Sequence, residues 1–359
     1  MPISRFNETG LKPLPTSDEP LDVDIETFPD FDHMLYYFEF AYIGEAGRGG
    51  NGFLIKVEHK FNTGQLWAVK AIPRSSFGSV CYATQHATGR HTITSLSLPP
   101  SFIQVCCLVH ITLCVCKEAP GLCTEAEFAS KYAHLVRLPL CKNLCAITDV
   151  VQDDTWFYVV MDFAEGGVCP DGPLPEDDAR RIARDIFNGL EMLHSHGLTH
   201  GDVSLNNIMK TGKDKRERYM LVDFDNVLTP TSPKPISVIG TPKFLAPEGI
   251  SRFEYSPASD MWAMGVAIYQ LLTGRYPFNI RDDGAIDEGR LLWKMHRGVY
   301  FYPHDAVSPL AKDLVRKLLT ADPDSRIQSA SKALEHPWLS AAGNPEPTHS
   351  SPCPPCSDE

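Results

Sequence analysis

Three oxygen-bearing side chains in this sequence stand at spacings that suit phosphate chemistry. The run His200-Gly201-Asp202-Val203-Ser204-Leu205-Asn206-Asn207 holds a carboxylate and, five residues later, a carboxamide. A second acidic run, Asp223-Phe224-Asp225, begins twenty-one positions after Asp202. Apolar residues flank both: Leu198, Val203, Leu205, Ile208 and Met209 around the first, and Met220, Leu221 and Val222 before the second. Such flanks place the polar groups at strand ends or in tight loops. Two carboxylates and a carboxamide presented in this way can bind metal and phosphate and orient a hydroxyl. The chemistry outlined is phosphoryl transfer.

Those groups need a scaffold, and the chain divides into a strand-rich first half and a helical second half. β-like runs at 35–43, 53–58 and 66–72 are punctuated by Gly44, Gly47, Gly49, Gly50, Gly52 and Gly64, as hairpins require. Residues 125–138 predict a helix with Ala126, Ala129, Ala133 and Val136 on one side. Strands are predicted at 147–151 and 156–161, joined by Gln152-Asp153-Asp154. Glycine and proline then mark 162–175 as a linker, with a hinge near 163–170. Beyond it Ile182, Ile186, Leu190 and Leu193 recur at helical spacing, behind an Asp177-Asp178 pair that suits a helix N-terminus. The stretch 261–272 is almost wholly apolar, which implies a helix buried on every side. Helices at 310–319, opened by Pro309 and left at Asp322-Pro323, and at 330–334 complete the second half. The expected organisation is a flexible extension at 1–34, a strand lobe at 35–162, a helical lobe at 163–338 and a flexible tail at 339–359. A cleft between the lobes is the natural place for the site.

One region breaks the pattern. Between 73 and 119, Ser76-Phe77-Gly78-Ser79-Val80 and Thr88-Gly89-Arg90 echo the preceding loop and hairpin, and Ser95 falls where the copy would need Lys70. A Pro-broken apolar run follows. An insertion, a partial duplication and translation of an unspliced segment all fit this texture.

Composition narrows the function classes. With 359 residues, 43% hydrophobic and 22% charged, the chain has enough apolar content for a folded, two-lobed protein. A formal charge of −12 argues against broad nucleic-acid binding, which needs a basic footprint. The longest apolar stretch, 102–116, is interrupted by His110 and is shorter than the roughly 20 residues a membrane helix requires, so no span is expected. The start of the chain has no apolar signal core, so the eleven cysteines are expected to be reduced or buried thiols. Cys353 and Cys356 have redox-pair spacing, but Pro354 and Pro355 leave no helix to activate a thiolate.

Taken in order, these runs resemble the eukaryotic protein kinase family, and within it the serine/threonine kinases of the calcium/calmodulin-dependent type. The resemblance runs from about Tyr37 to Trp338 and fails between 73 and 119. It implies an α+β bilobal fold, with a small antiparallel-sheet lobe and a large helical lobe. Gly47-Arg48-Gly49-Gly50-Asn51-Gly52 resembles the glycine-rich loop, whose backbone must lie close over phosphates. Ala68-Val69-Lys70 follows at strand distance, and Lys70 is similar to the lysine that pairs with the α- and β-phosphates. Its usual helical glutamate partner would be Glu127 or Glu125, with Glu127 favoured. Met161 would back the adenine pocket, and backbone groups at Asp162 and Ala164 would meet the adenine edge. Asp202 resembles the aspartate that orients the substrate hydroxyl, while Asn207 and Asp223 resemble the Mg²⁺ ligands. Asp260 resembles the acid that braces the catalytic loop, and Glu248 the acid that pairs with Arg326. Gly240-Thr241-Pro242 and Ala246-Pro247-Glu248 resemble the substrate-docking end of the activation segment.

The resemblance therefore implies ATP and Mg²⁺, a protein hydroxyl as acceptor and a cytoplasmic or nuclear setting; it sets no oligomeric state. Three departures pull toward a kinase-shaped binding module instead. Gly201 replaces an arginine that reads a phosphorylated activation segment, Ser204 replaces a lysine that neutralises the γ-phosphate, and Asp225 replaces a glycine. The extra carboxylate of Asp225 is expected either to tighten divalent-ion binding or to misplace Asp223. Calcium control is not expected, because no acidic loop has the alternating ligands and closing glutamate it needs, and no basic amphipathic helix follows Trp338.

Overall fold

The strand that carries Lys70 sets the small lobe, with Trp67, Ala68 and Val69 buried before the lysine and Ala71 and Ile72 buried after it. The structure, a computed structural model, describes residues 25–49, 52–61, 64, 66–74, 124–212, 218–278 and 288–340. Most of the irregular 73–119 region, the 102–116 apolar run and the 341–359 tail lie outside them. Six strands form one sheet: β1 (Glu26–Thr27), β2 (Phe40–Gly49), β3 (Gly52–His59), β4 (Leu66–Pro73), β5 (Ile147–Gln152) and β6 (Trp156–Asp162). Their order is β1-β5-β6-β4-β3-β2, and every pair is antiparallel except β1 with β5, so the sheet is mixed at one edge. Register places Lys70 opposite Leu54 on one side and Val159 on the other.

The boundary expected at residue 34 does not hold. Residues 25–34 contribute β1 and the start of helix α1 (Phe31–Tyr37), which Asp30 caps by accepting from the His33 amide at 2.9 Å. Phe28, Met34, Leu35 and Phe38 bury themselves with Phe40, Val57, Trp67, Val69, Tyr158 and Val160 over one face of the sheet. The acidic and proline residues of this segment disguise an apolar set that has a sheet face to cover. Each such side chain removed from water contributes on the order of 1.5–3 kcal/mol.

The opposite face receives helix α2 (Glu125–Arg137). Thr124 and Glu127 form a reciprocal capping box at its start, and it buries Phe128, Ala129, Tyr132, Ala133, Leu135 and Val136. Ala126, expected on that face, is exposed.

The larger lobe is built on α3 (Glu176–Ser195) and α5 (Pro257–Thr273), with α4 (Pro247–Arg252), α6 (Glu288–His296), α7 (Pro309–Leu318), α8 (Ala330–Leu334) and α9 (Pro337–Ser340) around them. All of α5 from Ala258 to Thr273 is buried, as its apolar sequence implied. A two-stranded ribbon, β7 (Ile208–Lys210) with β8 (Tyr219–Leu221), lies where the lobes meet. It sets Asn207 just before one strand and Asp223 just after the other.

Three buried polar clusters hold this ribbon and its loops. Asp260 accepts from the His200 amide at 2.8 Å, the Gly201 amide at 3.0 Å and His194 Nε2 at 2.9 Å. Glu248 and Arg326 pair through both carboxylate oxygens at 2.7 and 3.0 Å, and Arg326 also donates to the carbonyls of Ala258, Thr320 and Ala321. His200 donates from Nε2 to the Val222 carbonyl at 3.2 Å and accepts the Asp202 amide on Nδ1 at 3.3 Å. That pattern needs a neutral ring, and burial keeps the His200 pKa below its ordinary 6.5 although Asp260, Asp202 and Asp223 pull the other way.

Two outcomes are expected. Arg326→Ala strands the Glu248 carboxylate, which should cost about 3–5 kcal/mol and lower the melting temperature by roughly 6 °C or more. A variant melting within a degree of the native chain would show that the pair is dispensable. For His200, the unfolded chain binds a proton that the folded chain refuses. Stability is therefore intact above pH 6.5 and falls as pH drops below it. The melting temperature should decline between about pH 7 and pH 5, and His200→Asn should flatten that decline.

Candidate functional site

The residues of the loop at 199–207 are positioned by short backbone ties. Thr199 and Leu228 exchange two hydrogen bonds at 3.0 and 2.9 Å, and buried Val203 and Leu205 anchor the loop between them and the ribbon. One oxygen of Asp202 accepts from both the amide and the hydroxyl of Thr241, each at 2.7 Å. The other accepts from Asn226 Nδ2 at 3.4 Å. Asn207 Nδ2 donates to the Asp202 carbonyl at 2.8 Å, so its Oδ1 points elsewhere and takes no partner among the described residues. The Val222 amide donates to the Asn207 carbonyl at 2.9 Å, bringing the residue before Asp223 alongside Asn207.

Asp223 adopts a left-handed backbone, φ +63°, and its side chain is 40% exposed. That conformation strains a non-glycine residue by about 1–2 kcal/mol and is a common mark of a functional position. The carboxylate it presents meets the other lobe: Lys70 Nζ lies 2.9 Å from Asp223 Oδ1 and 2.7 Å from Asp225 Oδ1. Burial works to lower the Lys70 pKa, but the two carboxylates more than offset it, and the ammonium is held above its ordinary range.

Neither glutamate of α2 reaches Lys70. Glu127 turns back to the Thr124 amide at 2.7 Å within its capping box, and Glu125 pairs with Arg74 at 2.8 Å. Both are spent at the helix N-terminus, a full turn or more before the part of α2 that approaches the site. Tyr132 and Lys131 occupy that part. The Tyr132 hydroxyl donates to Asp225 Oδ1 at 3.2 Å and Lys131 Nζ to the Asp225 carbonyl at 2.6 Å. Asp225 thus neither displaces Asp223 from Lys70 nor stands apart from it. These contacts join residues more than ninety positions apart, and no sequence spacing marks them.

The remaining expected residues lie on the sheet or just after its last strand. Gly47 and Gly49 lie on β2 and Gly52 opens β3, with Gly49 opposite Gly52; Gly50 and Asn51 are outside the described residues. Gly52 has φ +148°, and a Cβ there would sit 2.0 Å from the Ala71 carbonyl oxygen, so the hairpin can follow β4 this closely only with glycine. Met161 faces Ala68 across β4 and β6. The Asp162 amide is committed to the Ala146 carbonyl at 3.0 Å, and its own carbonyl meets Cys145 Sγ at 3.5 Å. Ala164 is buried, yet its amide and carbonyl take no partner among the described residues, as an adenine-binding edge requires.

Two departures gain a structural account. Gly201 has φ +76°, and a Cβ there would lie 2.5 Å from the Asn226 carbonyl oxygen. Ser204 is fully buried, with no partner for its hydroxyl among the described residues, so it does not stand in the cleft in place of a cation. The described cysteines, Cys141, Cys145 and Cys169, are free. Burial, aided by Asp171, pushes the Cys169 thiol up to about 12, and burial beside Asp162 raises that of Cys145 as well. Neither is a reactive thiolate.

The donor set fits a magnesium–nucleotide pair. Asp223 and the free Oδ1 of Asn207 are hard oxygen donors that could hold magnesium, which needs only one or two from a protein when phosphates and waters supply the rest. No cluster of three or more His, Cys, Asp or Glu side chains capable of holding a metal exists among the described residues, which leaves this mixed site as the candidate.

Comparison with known proteins agrees. A family model described as the protein kinase domain matches residues 121–339. Serine/threonine-protein kinase H1 of Homo sapiens is 34% identical over 214 residues, which is 55% of this chain and 48% of that protein. The delta subunit of calcium/calmodulin-dependent protein kinase type II from Oryctolagus cuniculus is 33% identical over 218 residues, 58% of this chain and 40% of that one. Calcium/calmodulin-dependent protein kinase type 1 of Caenorhabditis briggsae is 31% identical over 242 residues, 65% and 66% of the two chains. The match to kinase H1 spans about half of that protein's length. The family match starts after Lys70 and the glycine loop, so the placement of Lys70 against Asp223 is the independent observation that ties the small lobe to it. The chain belongs to the protein kinase family, with the α+β bilobal fold of that family.

Proposed function

We propose that the chain transfers the γ-phosphoryl group of ATP to a serine or threonine hydroxyl of a protein. The observation that carries this reading is the convergence of Lys70 from the sheet with Asp223 from the helical lobe at 2.9 Å. In this reading Lys70 holds the α- and β-phosphates, the Gly47, Gly49 and Gly52 hairpin covers them, and Met161, Asp162 and Ala164 receive the adenine. Asn207 and Asp223 would hold Mg²⁺, which supplies positive charge to the transferring phosphoryl group. Asp202, held in place by the donors Thr241 and Asn226, accepts the hydroxyl proton as the new oxygen–phosphorus bond forms and the β–γ bridging bond breaks. Thr241 lies in the segment that resembles a substrate-docking element, so the acceptor would approach beside it.

A second reading, a nucleotide-binding module that transfers poorly, is favoured by Ser204. Its buried hydroxyl provides no charge for the γ-phosphate, and transfer would rely on Lys70 and the metal alone.

Asp202→Asn separates the two. Under the kinase reading, transfer from ATP to a generic basic protein should fall by about 10²–10⁴-fold, while the melting-point rise caused by Mg²⁺ and ATP persists. Nucleotide binding with no Asp202-dependent transfer would favour the binding module, and no nucleotide uptake would remove both. For Gly201, restoring an arginine should not restore function. A side chain there must shift the Asn226 backbone, and with it a donor to Asp202. Gly201→Arg is expected to lose stability by about 1–2 kcal/mol and to reduce transfer; a gain in activity would contradict the strain argument.

A further inference from the structure

Helix α2 ends no carboxylate at Lys70, yet it is firmly joined to the site. Its two donors, Tyr132 and Lys131, both act on Asp225, one on the side-chain oxygen that also meets Lys70 and one on the carbonyl. The two acids around Lys70 differ in setting: the Asp223 side chain is 40% exposed toward the cleft, and that of Asp225 only 15%. An acid that must bind metal is a poor sole anchor for a lysine, because a divalent ion competes for the same oxygens. The more buried acid has no such conflict.

We infer that Asp225 is the positioning residue for Lys70, and that α2 acts on the nucleotide site through Tyr132, Lys131 and Asp225 rather than through an acid of its own. Asp223 is then released to a metal ion while the ammonium stays in place. The acid that keeps the lysine lies within the same triplet as the metal ligand, and movement of α2 reaches Lys70 through the Tyr132 hydroxyl.

The nucleotide part of this inference rests on the phosphotransfer reading, so the test has one arm that does not. In the nucleotide-free chain, acetylation of Lys70 by an amine-reactive ester is followed by peptide mass spectrometry. The nucleophile is the neutral amine, so a lysine freed from its two carboxylates is acylated faster than one clasped by them. Asp225→Asn should raise the Lys70 rate by about threefold or more, Tyr132→Phe should raise it less, and Asp225→Glu should recover most of the protection. Glu127→Gln should leave the rate unchanged. In the second arm, Asp225→Asn should raise KM for ATP by about tenfold with kcat changed much less, as expected of a residue acting on nucleotide placement. Native labelling and native KM in a folded Asp225→Asn chain would overturn the inference, as would equal effects from Glu127→Gln. Should Asp225→Asn fail to fold, Tyr132→Phe decides the labelling arm, where a native rate counts against the inference. If the native chain takes up no nucleotide, the phosphotransfer reading falls and the labelling contrast still judges Asp225.

Discussion

An ammonium from the sheet lies within 3 Å of each of two carboxylates from the helical lobe, and much of the molecule exists to keep them there. Burial alone would lower the Lys70 pKa, and the paired acids reverse that tendency. The arrangement tolerates little error. A one-residue slip of β4 against β3 and β6 would turn Lys70 to the opposite face of the sheet. The apolar neighbours of Lys70 along β4, Val69 and Ala71, are fully buried and oppose such a slip.

On the other side, the acids depend on a ribbon of only three residues per strand, too short to hold itself. Its rigidity is borrowed. His200 ties the loop before the ribbon to the residue after it, Asp260 ties that loop to α5, and Arg326 with Glu248 fastens α4 to the end of the lobe. The strained backbone of Asp223 persists because these contacts leave it no easier alternative. Buried polar groups at such density stabilise only when satisfied, and here they are satisfied largely by one another.

What could be read in the chain beforehand follows the range of the forces involved. Short-range signals were legible: the all-apolar run of α5, the strands around Lys70, the turn after β5, and the loop and triplet that contain Asp202, Asn207 and Asp223. Contacts across long separations were not. Glu127 looked like a partner for Lys70 because it lies on the right helix, but Thr124 three residues earlier offers a nearer pair of backbone bonds. Asp225 read as an anomaly because its partners, Tyr132 and Lys131, lie on a distant helix. Gly201 read as a lost arginine, whereas its backbone conformation shows a position suited to glycine.

Helix α1 has a consequence for how this lobe can be handled. Met34, Leu35 and Phe38 roof a sheet surface made of Phe40, Val57, Trp67, Val69 and Val160. A fragment trimmed to begin at β2 would leave that greasy wall facing water, and copies of it would cluster through the bared aromatics. The helix whose first turn was expected to belong to a flexible extension is the sheet's waterproofing.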